Sequence, residues 1–294
     1  MKIIAGTTHE NLARNIASHL RAEFIKAEVR RFNDGELAVT IPSDLACSDA
    51  VIVQSTCAPV NDNLFELLLL IDTVKRAKAK DIIIVIPYFG YGRNDHVATP
   101  NSSVGARLAT GLLEKAGATK IITIDLHSKK ALEFFKIPIV NLSAGDLFLP
   151  MIKATRASVI VSPDHGGVSR AQQISESLSL PLAIMAKERN HEGVRNMSIF
   201  KGDVQGKHCI IIDDIIDSGG TLLQAAQVLT QYGAVGMEAF ITHGVFSNHA
   251  EKKFENSPFE NIYITDSIVG NKISNKFMQV SIDNLVIAKL KELF

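Results

Sequence analysis

Eight short runs of this chain are apolar from end to end, or nearly so: Lys2–Ala5, Val51–Gln54, Ile82–Ile86, Lys120–Ile124, Val159–Ser162, Leu182–Met185, His208–Ile212 and Met237–Ile241. Such runs fit strands covered on both faces, because a half-exposed strand alternates apolar with polar residues. The segments between them place apolar residues every three or four positions, the spacing of one helix face. Leu64, Leu67, Leu68, Ile71 and Val74 make one such stripe, behind an expected cap at Asn61 or Asp62. Val104, Leu108, Leu112 and Ala116 make another, stopped by Gly117. Strand–helix–strand repetition of this kind builds a mostly parallel sheet with helices on both faces, so the expected fold class is α/β.

The pattern also repeats on a larger scale. Val51 to Ile86 and Cys209 to Ile241 each run strand, polar loop, helix, charged turn, strand, at nearly equal length. This predicts two similar α/β domains, residues 1–143 and 144–294, and 294 residues suffice for two cores. The last helix, roughly Asp283 to Leu293, comes late enough to pack on either domain, including back on the N-terminal one.

Charge and composition narrow the function classes. Lys plus Arg equals Asp plus Glu at 31 each, so no global field draws nucleic acid or an anionic membrane. No apolar run approaches the ~18 residues of a membrane span, and the Met-Lys-Ile-Ile start lacks a cleavable signal pattern. Cys47, Cys57 and Cys209 are far apart and show no metal spacing, which reads as a reducing compartment. The expectation is a cytoplasmic protein with small-molecule partners, binding neither nucleic acid nor membrane.

Polar clusters follow the C-terminal ends of the expected strands: Gly6-Thr7-Thr8, Pro87–Arg93, Asp125–His127, Asp164–Gly167, Lys187–Arg189 and Asp213–Thr221. Open α/β sheets bind ligands at that edge, where loops meet helix N-termini whose free N–H groups attract anions. The stretch IIIDDIIDSGGT, residues 210–221, is the most informative. It lacks the lysine of a nucleotide phosphate loop. Its turn Asp217-Ser218-Gly219-Gly220-Thr221 opens a helix through Leu222, Ala226 and Leu229, and its N–H groups and hydroxyls can nest one phosphate monoester. Asp213 and Asp214, one short loop away, would accept hydrogen bonds from hydroxyls. Phosphate at one end and a diol at the other describe a pentose phosphate. The plainer alternative is a helix cap at Asp217 or Ser218 beside a solvated strand end.

These residues resemble the PRPP-binding loop of the phosphoribosyltransferase fold. With Arg31–Glu36, Pro87–Arg93, Asp125-Leu126-His127, Ser162-Pro163-Asp164, Lys187-Glu188-Arg189 and Thr242-His243-Gly244, the chain is similar to the ribose-phosphate diphosphokinase (PRPP synthetase) family. The resemblance covers residues 2 to about 245. It implies two phosphoribosyltransferase-like domains, ATP on the N-terminal side and ribose 5-phosphate on the C-terminal side. The implied reaction is Mg²⁺-dependent transfer of a diphosphoryl group from ATP to ribose 5-phosphate, giving PRPP and AMP.

Roles follow residue by residue from the resemblance. Lys187 and Arg189 are implied as catalytic cations, Arg189 also touching ribose 5-phosphate; alone, K-E-R is ordinary solvated charge. Asp213, Asp214, Asp217, Ser218, Gly219, Gly220 and Thr221 take ribose 5-phosphate. His127 and Asp164 sit at the metal, although Mg²⁺ prefers oxygen and His127 alone reads as a strand-end histidine on a backbone carbonyl. Arg93 and Asn94 contact adenine, and Phe32, Asp34 and Glu36 complete that site from a neighbouring subunit; alone, Asn33-Asp34-Gly35 is a hairpin turn. Oligomerisation is then part of the site, a dimer at least and a hexamer by the resemblance. Three departures stand out: Asn94 replaces the usual glutamine, His96–Thr99 a commonly basic segment, and His165 a small neutral residue. Two other readings remain, a phosphoribosyltransferase that consumes PRPP and a non-catalytic PRPP-sensing protein.

Overall fold

Each of the eight apolar runs coincides with a strand, to within one residue at its N-terminal end. The computed structural model describes residues 1–189, 195–270 and 274–294, without the side chains of 187–189 and 195–196. The chain divides into two compact units, Met1–Leu142 with Ser267–Val269 and Asp283–Phe294, and Ser143–Asp266 with Gly270–Ile282.

The first unit runs β1 (Lys2–Ala5), α1 (Glu10–Leu20), β2 (Glu23–Lys26), β3 (Glu28–Arg31), β4 (Leu37–Thr40), β5 (Ala50–Val53), α2 (Val60–Arg76), β6 (Ile82–Ile86), α3 (Gly105–Ala116), β7 (Lys120–Ile124), α4 (Lys129–Leu132) and β8 (Ile139–Leu142). Its six-stranded sheet has the order β2-β1-β5-β6-β7-β8 and is parallel throughout. Register explains its core: Ile4, Ile52, Ile84 and Ile121 lie side by side across four strands, all fully buried. Leu67, Ile71 and Val74 of α2 and Leu113 of α3 belong to the same core. Each such side chain contributes roughly 1.5–3 kcal/mol on burial. β3 and β4 form a separate antiparallel hairpin.

The second unit runs α5 (Gly145–Lys153), β9 (Val159–Ser162), α6 (Val168–Leu178), β10 (Leu182–Arg189), β11 (Arg195–Lys201), β12 (His208–Ile216), α7 (Gly220–Gln231), β13 (Gly236–Gly244), β14 (Ile262–Thr265) and β15 (Phe277–Val280). Its sheet has the order β11-β10-β9-β12-β13-β14-β15, parallel except for the β10–β11 edge pair. The repeated pattern is borne out, since β5-α2-β6 and β12-α7-β13 are both strand–helix–strand crossovers between parallel neighbours. The last helix, α8 (Asp283–Leu293), belongs to the first unit, where Asn15 Nδ2 donates to Asp283 Oδ2 at 2.5 Å. The segment leading there is anchored as well: the Ser267 carbonyl accepts from His9 Nε2 and from Ser55 Oγ, both at 2.8 Å.

Two local expectations are corrected. Helix α3 is rotated relative to the expected stripe: it buries Ala106, Ala109, Thr110 and Leu113, leaving Leu108 66% and Leu112 40% exposed. The small residues form the face that allows close approach, and α2 packs against α3. Helix α2 starts at Val60 without a side-chain cap. Asn61 and Asp62 lie in its first turn instead, Asn61 accepting from the Tyr91 hydroxyl and Asp62 pairing with Arg31 at 2.7 Å. Among the described residues no helix is long and apolar enough to cross a membrane.

Candidate active site

In the second unit, β10, β9 and β12 are neighbours, and the acidic and glycine-rich segments cluster at their C-terminal edge. Asp164 follows β9 in a tight loop: its carbonyl accepts from Ser162 Oγ at 2.8 Å, and its Oδ1 accepts from the Gly167 N–H at 3.0 Å. Asp213 and Asp214 lie within β12 rather than beyond it, because β13 keeps pairing with β12 up to Ile216 and Gly244. A Cβ on Gly167 would stand 3.8 Å from both Asp164 Oδ1 and Asp213 Oδ1, so these two carboxylates face each other across that glycine.

Arg170, on the first turn of α6, answers the acids: its guanidinium lies 3.4 Å from Asp214 and 3.9 Å from Asp213. One cation is too little. Burial first, then the Asp214 and Asp164 carboxylates, push Asp213 well above the ordinary carboxylate range despite Arg170. Beyond β12, Gly219 takes a left-handed turn (φ 78°) and α7 begins at Gly220. The first N–H groups of a helix have no intrahelical partners, so this turn offers an anion its donors. Ser218 and Gly220 are exposed there, Asp217 and Thr221 half-buried, and Lys253 Nζ donates to the Ser218 carbonyl at 3.0 Å. The backbones of Lys187 and Arg189 pair with Met197 and Arg195 on the β10–β11 ladder; their side chains lie outside the described residues.

In the first unit the loops after β6 and β7 are neighbours, and Asp95 joins them. Its buried carboxylate accepts from Ser128 Oγ and, at 2.6 Å, from His96 Nδ1. Burial alone would raise the Asp95 pKa, but the His96 and Ser128 hydrogen bonds outweigh it and hold it below the ordinary value. This bridge brings the segment of Arg93 and Asn94 alongside His127, and all three side chains are exposed. Asp125, two residues before His127, is held in the left-handed region (φ 38°), a conformation costly for a non-glycine residue. Phe32, Asp34 and Glu36 are carried elsewhere, on the separate β3–β4 sheet. The Gly35 N–H donates to the Phe32 carbonyl at 2.9 Å and the Phe32 N–H to the Glu36 carbonyl at 2.8 Å, so a hairpin turn is present. It presents all three residues to solvent, Phe32 at 54% exposure.

Arg170, Asp95, Ser128 and Lys253 are missed by sequence reasoning. For Arg170 a signal existed: a cation in the first turn of a helix opposes the helix dipole and therefore needs an anionic partner.

The comparisons with known proteins agree with this layout. Residues 1–117 match the N-terminal domain of ribose phosphate pyrophosphokinase and residues 150–274 the phosphoribosyl transferase domain. A ribose-phosphate pyrophosphokinase of Thermosipho africanus is 42% identical over 97% of this chain and 92% of the relative. The chain belongs to the ribose-phosphate pyrophosphokinase family. A second member, from Wolinella succinogenes, is 40% identical over 100% of this chain and 96% of its own. The crystal structure of phosphoribosylpyrophosphate synthetase from Mycobacterium smegmatis superposes with a TM-score of 0.92 at 33% identity, covering 100% of this chain and 98% of that one. The α/β architecture with mostly parallel sheets is thus the fold of this family.

The donor set of the second unit fits a hard cation. Asp164, Asp213 and Asp214 supply only carboxylate oxygen, and burial together with the Asp214 and Asp164 charges raises the Asp213 pKa. Among the described residues no three His, Cys, Asp or Glu side chains form a ready-made metal group.

Proposed function

We propose that this protein is a ribose-phosphate diphosphokinase. It transfers the β,γ-diphosphoryl group of ATP to the 1-hydroxyl of ribose 5-phosphate, giving PRPP and AMP and feeding nucleotide biosynthesis. The observation that carries the substrate reading is the pairing, on one strand–turn–helix, of a phosphate-sized N–H turn with two carboxylates. In this reading residues 144–294 take ribose 5-phosphate, its phosphate on Asp217–Thr221 and its hydroxyls toward Asp213 and Asp214. Residues 1–143 take ATP, with adenine at Arg93 and Asn94. The 1-hydroxyl oxygen bonds to the β-phosphorus and releases its proton to solvent while the bond from that phosphorus to the oxygen bridging to the α-phosphate breaks, and AMP leaves with that electron pair. Lys187 and Arg189, on the strand next to β9, are assigned to the charge that builds on the transferring group. Asp164 in the second unit and His127 in the first are each assigned as a ligand for Mg²⁺, which when bound would neutralise phosphate charge.

The oligomer belongs to the same reading. Phe32, Asp34 and Glu36 at an exposed hairpin tip would serve a neighbouring subunit, in a dimer at least and a hexamer by the family resemblance. The protein would work in the cytoplasm.

The test is to incubate the purified protein with ATP, ribose 5-phosphate and Mg²⁺ and to follow both products. PRPP and AMP should appear in equal amounts, and chelating the metal should stop both. Consumption of added PRPP with a free base, without AMP formation, would point instead to a phosphoribosyltransferase.

A further inference from the structure

We propose that His165 and Phe200 form an aromatic brace that positions the Asp164 loop against the β10–β11 hairpin, making both of them positioning residues for the reaction. The inference rests on the activity proposed above. It starts from an irregularity in the ladder. β10 and β11 pair Met185 with Ile199 but Ile184 with Lys201, so Phe200 is left out of the register as the extra residue of a β-bulge. A bulge bends its strand and re-aims a side chain, and bulges concentrate near active sites. Met197 and Ile199 of the same strand pack into the core of the second unit, whereas Phe200 is 66% exposed.

The Phe200 ring is nevertheless not idle. It stands against the His165 imidazole with centroids 5.5 Å apart and planes at 69°, an edge-to-face contact. That separation falls within the favourable range for aromatic pairs, about 4.5–7 Å. His165 follows Asp164 directly, and the loop around it is otherwise well tied: Ser162 and Gly167 hold Asp164, and the Val168 N–H reaches back to the His165 carbonyl at 3.5 Å. A loop fixed on that side transmits position through the one ring it sends outward.

The other half of the contact lies on an edge strand. β11 pairs with β10 alone, at the end of the seven-stranded sheet. The strand it pairs with carries Lys187 and Arg189, just past the bulge. Edge strands have a single hydrogen-bonded neighbour and are the easiest to shift. An aromatic contact at the base of the hairpin therefore sets the distance between the segment assigned to the transferring group and the loop assigned to the metal. It does so by ring packing.

The experiment is a cycle of His165→Ala, Phe200→Ala and the double variant, with His165→Phe as the conservative replacement. Steady-state kinetics should give kcat and both KM values, and thermal unfolding should be followed on the same samples. Either alanine variant should lower kcat several-fold, on the scale of the about 2- to 10-fold that an aromatic pair is worth, with KM for ATP unchanged. The double variant should be no slower than the slower single, and His165→Phe should recover most of the rate. Losses that multiply in the double variant, or a His165→Phe protein as slow as His165→Ala, would overturn the brace. A wild type that forms no AMP would sink the proposed activity instead. The pair is then judged on the unfolding cycle, where a coupling of about 2- to 10-fold in the equilibrium constant is expected and none would refute the contact.

Discussion

Asp213 lies 3.9 Å from the Arg170 guanidinium and still resists ionisation, because burial and two neighbouring carboxylates outweigh that single cation. The consequence for stability has a definite sign. Its folded pKa is raised above the unfolded value near 3.8, so over that interval the folded state binds more protons than the unfolded one. Its contribution is complete below the unfolded pKa and is lost as pH rises through the folded pKa. Asp213→Asn cannot ionise and should remove this slope. In denaturant unfolding of the ligand-free protein, the variant should gain stability relative to wild type on going from pH 4 to pH 8. An equal difference at both pH values would show that no proton is linked there. The same change should weaken ribose 5-phosphate binding by about 2- to 10-fold, since a typical hydrogen bond is worth about 0.5–1.5 kcal/mol.

The turn into α7 shows how an element dictates its residues. Gly219 has φ 78°, and a Cβ there would lie 2.7 Å from Cε2 of Phe254, a ring buried in an aromatic cluster with Phe259 and Phe277. Gly219→Ala therefore meets two penalties, about 1–2 kcal/mol for the left-handed backbone and about 1–3 kcal/mol for overpacking. The next residue is the control. A Cβ on Gly220 meets only Ser218 Oγ at 3.8 Å, and Gly220 already lies in the helix. Urea denaturation should show Gly219→Ala destabilised by about 2–5 kcal/mol and Gly220→Ala within about 0.5 kcal/mol of wild type. Similar losses in both would mean that the turn tolerates a side chain.

At the scale of the molecule the chain returns late to its first unit, and His9 helps to fasten it. Burial lowers the His9 pKa, outweighing the Ser267 hydrogen bond and the Asp283 charge that would raise it. The unfolded state thus takes up a proton more readily, and this contribution, present above pH ~6.5, is lost as pH falls from there toward the folded pKa. Relative to a variant that lacks the His9 imidazole, wild type should lose stability between pH 7.5 and 5.5. His9→Asn should start about 1–3 kcal/mol lower at pH 7.5 and lose less on acidification, as read by denaturant midpoints. A second prediction concerns assembly. Glu36→Ala and Lys187→Ala should each be nearly inactive, yet a mixture should recover activity, because random pairing creates sites with both residues intact. If a labelled subunit proves that exchange occurs and no activity returns, the shared site is wrong.

What the sequence determined by itself is local. Short continuous apolar runs alternating with helical patterns fit doubly covered strands, so the parallel sheets were legible, and the anion turn at Asp217–Thr221 was legible because its chemistry resides in consecutive backbone groups. The strands β2, β3, β4, β8, β11 and β15 were not, since strands with exposed positions lack that apolar signature, and β14, apolar in three of its four residues, was also missed. Only the tertiary structure decided which face of α3 is buried, because a helix with apolar residues on two faces leaves that choice to its neighbour. The tertiary structure also set Arg170 against Asp214, 44 residues away, Asp95 against Ser128, and Phe200 against His165. Such pairs depend on which strands become neighbours and on a one-residue slip in register, and neither is written in the spacing of the residues themselves.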